Sequence, residues 1–173
     1  PAISDPGEQL VAQCAELGIP VICVPGPSAA ITALAISGLP TGRFTFEGFL
    51  SMNKKNRREH LEELRHEHRT MIFYEAPHKL AQTLKDLLDT FGEERRIALA
   101  RELTKLHEEV WRTTLREAEE RYRDGSARGE FVLVVEGATE KKDVPAITLE
   151  EAVQIAQDLM AEGIPASLAA KKA

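Results

Sequence analysis

The chain has 173 residues, of which 43% are hydrophobic and 29% are charged, and its formal net charge at pH 7 is −6. This composition is typical of an ordered globular protein. It excludes both an intrinsically disordered chain and a strongly basic protein that coats nucleic acid. Because the sequence has neither a secretory signal nor a run of about 18 apolar residues, we expect a cytoplasmic protein that does not bind membranes.

The two cysteines, Cys14 and Cys23, lie in apolar stretches and lack the spacing of a metal site. We therefore expect both to be reduced residues of the core. No metal site is expected elsewhere either, because the histidines and carboxylates do not follow the spacing of a known metal-binding motif.

The first forty residues predict a helix, a strand and a second helix. Asp5 and Pro6 match the N-cap and the first position of a helix, and Ser28 matches the N-cap of the second helix. The predicted elements are a helix from 8 to 17, a buried strand from 20 to 24 and a helix from 29 to 36. Because one strand cannot form a sheet, we interpret residues 1–40 as the C-terminal part of a first α/β domain in a longer protein.

Residues 41–138 predict a complete second domain. Its predicted elements are strands at 44–50, 70–74, 96–100, 109–113 and 131–135 and helices at 57–68, 77–91 and 115–123. Five strands and three helices in this order indicate a mixed α/β domain. Residues 139–173 are interpreted as a linker and the start of a helical extension, since Thr148 and Glu151 form a capping box for a helix that ends near Glu162.

Three turns of the sequence place polar groups where strands end and helices begin, and ligands collect at strand ends in open α/β sheets. The first turn precedes Ser28, where small residues leave backbone N–H groups of a helix start facing outward. The second contains Glu75, His78 and Lys79 beside a helix whose N-cap position holds Ala76, so free amide groups remain for a ligand or water.

The third turn, residues 101–109, contains six ionisable side chains between two predicted strands. It is either a binding site or a solvated turn with surface ion pairs that contribute little. A fourth segment is basic, with Lys54, Lys55, Arg57 and Arg58 inside an acidic chain. Local positive charge of this kind indicates phosphate contacts, although a solvated basic loop is an alternative and no aromatic residues are interleaved for base stacking.

Seven segments, taken in order, resemble the bacterial ribosomal RNA small-subunit methyltransferase I family, which belongs to the tetrapyrrole-methylase-like (class III) superfamily. The segments are Ile3–Gly7, Pro25–Ala29, Ser37–Thr41, Gly48–Leu50, Phe73–His78, Arg101–Glu109 and Gly129–Gly137. The resemblance implies a two-domain α/β enzyme, usually a homodimer, that binds S-adenosyl-L-methionine. The implied reaction is 2′-O-methylation of a cytidine ribose in 16S ribosomal RNA of the small subunit.

The resemblance also implies individual site residues. By position, Ile3, Ser28 and Ala29 match cofactor contacts of the first domain, and Glu75 and Thr104 match cofactor contacts of the second. The basic segment, Lys54 to Arg58, would bind RNA phosphates. The family's glycine-rich first strand and the segment that normally precedes Ile3 are not in this sequence.

The implied reaction needs reactant alignment and help for the acceptor hydroxyl. A ribose 2′-hydroxyl is a poor nucleophile until its proton leaves, so a general base or a stabilising cation is expected. The candidate catalytic residues are Glu102, Lys105, His107 and Glu108, with Lys105 stabilising charge and a carboxylate or His107 taking the proton. Two alternative functions are a methyltransferase for corrin or porphyrin precursors and a non-catalytic RNA-binding module.

Overall fold

The structure is a computed structural model that describes residues 1–139, 149–163, 165, 166 and 168. Contacts between residues divide the chain into one compact unit, Pro1–Thr139, and a second, Glu140–Ala173. The predicted boundary between residues 40 and 41 stays a prediction. Within the described ranges, none of the helices is long and apolar enough to cross a membrane.

The described residues form six helices and five strands. The helices are α1 (Glu8–Glu16), α2 (Ala29–Ile36), α3 (Lys54–Glu63), α4 (Pro77–Phe91), α5 (Leu115–Tyr122) and α6 (Leu149–Ala161). The strands are β1 (Phe44–Gly48), β2 (Thr70–Glu75), β3 (Arg96–Arg101), β4 (Glu109–Thr114) and β5 (Phe131–Val135). Helix α6 belongs to the second unit, and Thr148 of its predicted capping box lies outside the described residues.

All five strands join in one mixed sheet with the order β1-β2-β5-β3-β4. Strands β1 and β2 are parallel, whereas β5 is antiparallel to both of its neighbours and β3 is antiparallel to β4. The last strand in the sequence therefore occupies the centre of the sheet. The predicted mixed α/β fold of residues 41–138 is confirmed.

The sheet divides the core into two layers, as strand β2 illustrates. Met71 and Phe73 pack with residues of α3, α4 and α5 on one face, and Ile72 packs with residues of α2 on the other. All three side chains are fully buried. Alternation along a strand sends successive side chains to opposite faces, so a strand covered on both faces is an unbroken apolar run.

Helix α4 was predicted with its exact bounds because its apolar residues recur at helical spacing. Leu80, Leu84, Leu87 and Phe91 are buried along one side of the helix against the sheet. Burying each such side chain stabilises the fold by about 1.5–3 kcal/mol relative to exposure. Pro77 begins the helix, where its missing N–H costs little.

Helix α2 is held on the opposite face by a side chain at each end. At its start, the backbone N–H of Ala30 donates to Tyr74 Oη at 3.1 Å. At its end, Arg112 Nε donates to the Ser37 carbonyl at 3.1 Å, and the same guanidinium donates to the Ile36 carbonyl. Cationic groups are favoured at a helix C-terminus, where carbonyl oxygens lack intrahelical partners. Strands β2 and β4 therefore fix the position of α2.

The predicted buried strand at residues 20–24 is wrong. No strand forms there in the part of the chain that the structure describes, and Val21, Ile22 and Val24 are 54%, 88% and 87% exposed. A strand requires a neighbouring strand to accept and donate its backbone hydrogen bonds. Within the described residues, no strand lies beside residues 20–24. Cys23, within this segment, is exposed, and Cys14, in α1, is only half-buried, so the prediction that both are core residues is wrong.

Two helix starts also differ from the prediction. Helix α1 has Gly7 rather than Asp5 at its N-cap. Helix α3 begins at Lys54 rather than Arg57, because the Asn53 side chain accepts hydrogen bonds from the backbone N–H groups of Lys55 and Asn56. Capping by Asn satisfies amides that otherwise lack partners. The basic segment is thus part of a helix and not a loop.

We predict that Tyr74→Phe lowers the free energy of unfolding by about 1 kcal/mol, because the partly buried backbone N–H of Ala30 loses its hydrogen-bond acceptor. Urea denaturation measures this loss. Hydrogen exchange should accelerate at the Ala30 amide, while the amide of Leu34, inside the same helix, serves as the internal control. Unchanged exchange at Ala30 would show that Tyr74 does not hold the helix.

Candidate active site

The sheet brings two of the predicted turns to one edge. Glu75, at the end of β2, and Arg101, at the end of β3, both pair with Phe131 at the start of β5. Arg101 also pairs with Glu109 at the start of β4. The turn after β2, the turn that joins β3 to β4 and the segment before β5 therefore lie along the same edge.

An aromatic cluster, consisting of Phe46, Phe49 and Tyr74, connects this edge to the start of α2. The Phe46 and Phe49 rings meet the Tyr74 ring edge to face, with centroid distances of 5.0 and 5.7 Å. The Tyr74 hydroxyl in turn accepts the Ala30 N–H described above. Aromatic pairs in this geometry contribute about 0.5–1.5 kcal/mol beyond burial.

The segments that carry three predicted cofactor contacts border the aromatic cluster. Ile3 is exposed and adjoins Ser4, whose Oγ lies 3.1 Å from the position that a Cβ on Gly48 would occupy. Gly48 lies between two residues of the cluster in the sequence. Ser28 and Ala29 directly precede Ala30, whose backbone N–H donates to the Tyr74 hydroxyl. The structure therefore brings the first predicted turn and the first residues of the chain to the same place.

The start of α2 offers the groups that a carboxylate needs. Amides in the first turn of a helix lack intrahelical partners and lie at the positive end of the helix dipole. In the described part of the chain, Ser28 makes no side-chain capping bond to this helix. The ring of Phe49 is 54% exposed and presents an apolar surface nearby. These groups fit a ligand with a carboxylate and a flat apolar part.

Glu75 lies apart from the predicted cofactor contacts at the start of α2. Its side chain is 3% exposed and lies on the α4 face of the sheet, where Thr83 Oγ1 donates to its carboxylate. Its other oxygen accepts the N–H of Ala76 at 2.9 Å. Arg57 Nη2 donates to the same Thr83 hydroxyl at 2.8 Å. Glu75 is therefore part of an internal network, on the opposite face of the sheet from α2.

The turn between β3 and β4 carries two residues in the left-handed backbone region. Glu102 has φ of 50° and Thr104 has φ of 66°. Residues other than glycine adopt this region at a cost of about 1–3 kcal/mol, and such residues concentrate at functional sites. Leu103, between them, packs against the core layer that contains α2.

A charged triad fixes this turn: Glu102, Lys105 and Glu130. Lys105 Nζ lies 3.0 Å from Glu102 Oε1 and 3.0 Å from Glu130 Oε2. The backbone N–H of Glu130 donates to Glu102 Oε1 at 2.9 Å. The adjacent Gly129 leaves room for Glu102, since a Cβ there would lie 2.5 Å from Glu102 Cγ.

The same contacts move two pKa values away from neutrality. The pKa of Glu102 lies below its ordinary value of 4.5, because the Glu130 N–H and the Lys105 ammonium stabilise the carboxylate. The pKa of Lys105 lies above its ordinary value of 10.5, because Glu102 and then Glu130 accept its hydrogen bonds. Lys105 is thus a fixed cation, half exposed, and Glu102 is a weak base.

The remaining candidates in this turn differ in their contacts. Glu108 Oε2 accepts the backbone N–H of Thr104 at 2.6 Å, so the Thr104 amide is bonded within the turn. His107 is exposed to solvent. Among the four predicted catalytic residues, the structure pairs the side chains of Glu102 and Lys105. The Glu108 backbone N–H donates to the Lys105 carbonyl at 3.2 Å, but within the described residues neither Glu108 nor His107 has a side-chain hydrogen bond or ion pair to that pair.

The basic part of α3 separates into surface and internal groups. Lys54, Lys55 and Arg58 are exposed, next to a groove of about 610 Å³ between α3 and α4. Arg57 is only 12% exposed, and its Nε lies 2.5 Å from Asp86 Oδ2. The structure therefore presents three of the four predicted RNA-binding cations at the surface and directs Arg57 inward.

Sequence reasoning missed three residues that shape the site: Tyr74, Gly129 and Glu130. Tyr74 supports the start of α2, and the other two hold Glu102. All three lie within segments that carried the family resemblance. Their roles depend on contacts between distant strands, which periodicity does not reveal.

A family model for the tetrapyrrole (corrin/porphyrin) methylases matches residues 1–119. The chain belongs to the tetrapyrrole (corrin/porphyrin) methylase family. Solved structures agree on the fold: the methyltransferase CobJ superposes with a TM-score of 0.57 at 24% identity, covering 76% of this chain and 56% of that one. The cobalt precorrin-4 methyltransferase CbiF gives a TM-score of 0.52 at 18% identity, covering 75% and 56%.

Curated relatives are more similar in sequence, and each is named ribosomal RNA small subunit methyltransferase I. The relative from Synechocystis is 48% identical over 99% of this chain and 61% of its own length. Those from Halalkalibacterium halodurans and Xylella fastidiosa are 52% and 46% identical, over 82% and 100% of this chain and 48% and 63% of their own lengths. The resemblance found in the motifs is confirmed, and the chain spans about half to two thirds of these relatives.

We predict that Gly129→Ala lowers the free energy of unfolding by about 2–3 kcal/mol, because it combines left-handed backbone strain with displacement of Glu102 from its partners. The matched control is Gly125→Ala. Gly125 also has a positive φ, but a Cβ there would meet no heavy atom within 4 Å in the described part of the chain. That variant should lose only about 1 kcal/mol. Equal losses in urea denaturation would contradict the role assigned to Gly129.

Proposed function

We propose that the protein uses S-adenosyl-L-methionine to methylate the 2′-hydroxyl of a cytidine ribose in 16S ribosomal RNA. The observation that carries this proposal is the strained turn that holds Lys105 as a permanent cation on the same sheet edge that the aromatic cluster borders. The names of the curated relatives support ribosomal RNA as the substrate class. The cytoplasm, where small subunits are assembled, is the proposed location, and a homodimer is the proposed assembly.

The cofactor would be held by the start of α2. Ser28 and the Ala29 amide would bind its carboxylate, and Phe49 with the segment at Ile3 would contact its apolar part. When bound, this group supplies a methyl group already activated on a sulfonium. Glu75 and Thr104 stay predictions as cofactor contacts, because the Glu75 carboxylate and the Thr104 amide are bonded within the protein.

The protein's task is then to align the ribose oxygen and to manage its proton. The bound cofactor would supply the methyl group for the new O–CH₃ bond and leave as a neutral thioether, and the hydroxyl proton would pass to a base. Lys105 would stabilise negative charge that develops on the oxygen. His107 and Glu108 are the proposed proton acceptors, because the low pKa of Glu102 makes that carboxylate a weaker base.

The exposed cations of α3 would bind the RNA backbone. Lys54, Lys55 and Arg58 place positive charge on one surface of an acidic protein, which suits a polyanion such as RNA. Arg57 would contribute indirectly, since its bonds to Asp86 and Thr83 tie α3 to α4. The names of the curated relatives favour RNA over the tetrapyrrole alternative.

The function predicts methyl transfer by the complete protein to 30S particles and none to uroporphyrinogen III. Replacing Lys54, Lys55 and Arg58 together by Gln should raise the KM for 30S particles and reduce the salt slope of RNA binding by about 2–3. Cofactor affinity should not change. Methylation of the macrocycle would favour the first alternative, and the absence of any cofactor binding by calorimetry would favour the non-catalytic module.

The mechanism predicts that Lys105→Gln lowers kcat about 10²- to 10³-fold with little change in cofactor affinity, because one charge-stabilising group is lost. Lys85→Gln, an exposed lysine of α4, is the matched control. Neither Glu102 nor Lys105 titrates between pH 5 and 9, given the directions of their pKa shifts. The shape of the pH profile in this range should therefore be the same in Lys105→Gln as in the wild type. His107→Gln should lower kcat more than Lys85→Gln does, and an unchanged kcat would exclude His107 as the base.

A further inference from the structure

A second cluster of positive charge lies directly beside the Glu102 turn. A pocket of about 230 Å³ opens on the α5 side of the sheet edge. Its lining residues are Arg101, Glu109, Arg121, Tyr122, Ser126 and Arg128. The lining therefore contains three arginines and one carboxylate, although the net charge of the whole chain is −6.

Glu109 positions two of these arginines and leaves their charge in excess. Its Oε1 accepts a hydrogen bond from Arg121 Nη2 at 2.9 Å, and its Oε2 lies 3.3 Å from Arg101 Nε. Arg121 also stacks on the Trp111 ring, with 4.4 Å from the guanidinium carbon to the ring centroid. The stacking on Trp111 and the contacts with Glu109 hold the planar guanidinium groups in a fixed orientation before a ligand binds.

Arg101 has unused hydrogen-bonding capacity. Its Nε is buried yet has no hydrogen-bond partner in the described part of the chain, because the approach to Glu109 is poorly directed. Its Nη1 makes only a long bond, 3.4 Å, to the Arg128 carbonyl. The Arg101 side chain is 26% exposed, so an oxyanion in the pocket can accept hydrogen bonds that the protein leaves unmade.

Arg128 is the third arginine of the pocket. It is exposed, and no carboxylate pairs with it among the residues that the structure describes. Burial also raises the pKa of Tyr122, so its hydroxyl remains protonated at neutral pH. Arginine is well matched to phosphate, because its fork can donate two parallel hydrogen bonds.

We propose that Arg101, Arg121 and Arg128 form a binding pocket for a backbone phosphate of the RNA substrate. Arg101 and Glu102 are consecutive, with Cα atoms about 3.8 Å apart, so the pocket adjoins the turn that carries Lys105. This inference rests on the proposed function. It adds a phosphate contact next to the reacting ribose, separate from the cations of α3.

The test compares Arg128→Gln with Arg43→Gln in the complete protein. Both residues are exposed arginines, but Arg43 precedes β1, at the opposite edge of the sheet. Fluorescence anisotropy with an RNA hairpin from the 16S decoding region gives Kd as a function of salt. Arg128→Gln should raise Kd about tenfold and reduce the salt slope by about 0.7–0.9, as expected for one lost phosphate contact. Arg43→Gln should do neither.

Identical Kd and salt slope in the two variants would overturn the pocket, whatever the enzyme's activity. Methyl transfer to 30S particles is measured separately on the wild-type protein. Failure there would contradict the proposed function, while the anisotropy comparison would still decide whether this pocket binds RNA phosphate.

Discussion

The central position of β5 is the constraint on which the rest of the fold depends. Strands β2 and β3 are not neighbours; each pairs with β5, whose residues Phe131–Val135 are all buried. The register aligns Glu75 and Arg101 on either side of Phe131, so the turns after the two strands are held two strand spacings apart, about 10 Å. Without β5, the β1–β2 pair and the β3–β4 hairpin would be separate pieces. Non-local pairing of this kind forms slowly because it must close long loops.

The two faces of the sheet carry different parts of the site. On one face, Tyr74 and Arg112 fix α2, and the aromatic cluster connects its start to the sheet edge. On the other, Glu75, Thr83 and Arg57 join the end of β2 to α3 and α4. The turn between β3 and β4 adjoins both faces, because Leu103 packs with the α2 layer and the preceding Arg101 lines the pocket on the α5 side. A small ligand and a large polyanion can therefore approach one turn from different directions.

The sequence was sufficient to predict the helices and strands of residues 41–138 and insufficient to predict contacts that depend on packing. Helix α4 and strand β5 follow from apolar spacing and an unbroken apolar run, whereas residues 20–24 have the composition of a buried strand and lack a neighbour among the described residues. The start of α3 could have been predicted from Asn53, a good N-cap residue. The inward direction of the Arg57 and Glu75 side chains could not have been predicted, because it depends on how α3 and α4 pack together. Strand order likewise required the structure, because the crossover through β5 leaves no local signal.

The left-handed backbone at Glu102 and Thr104 has a consequence for how this protein tolerates change. Glycine at position 104 would adopt φ of 66° without steric strain. Selection for stability alone would therefore favour glycine there, and the threonine of this sequence carries that stability cost. In a library sorted first by thermal resistance and then by methyl transfer, position 104 is where the two rankings should diverge. The proposed function therefore places stability and activity in competition at a single residue of this turn.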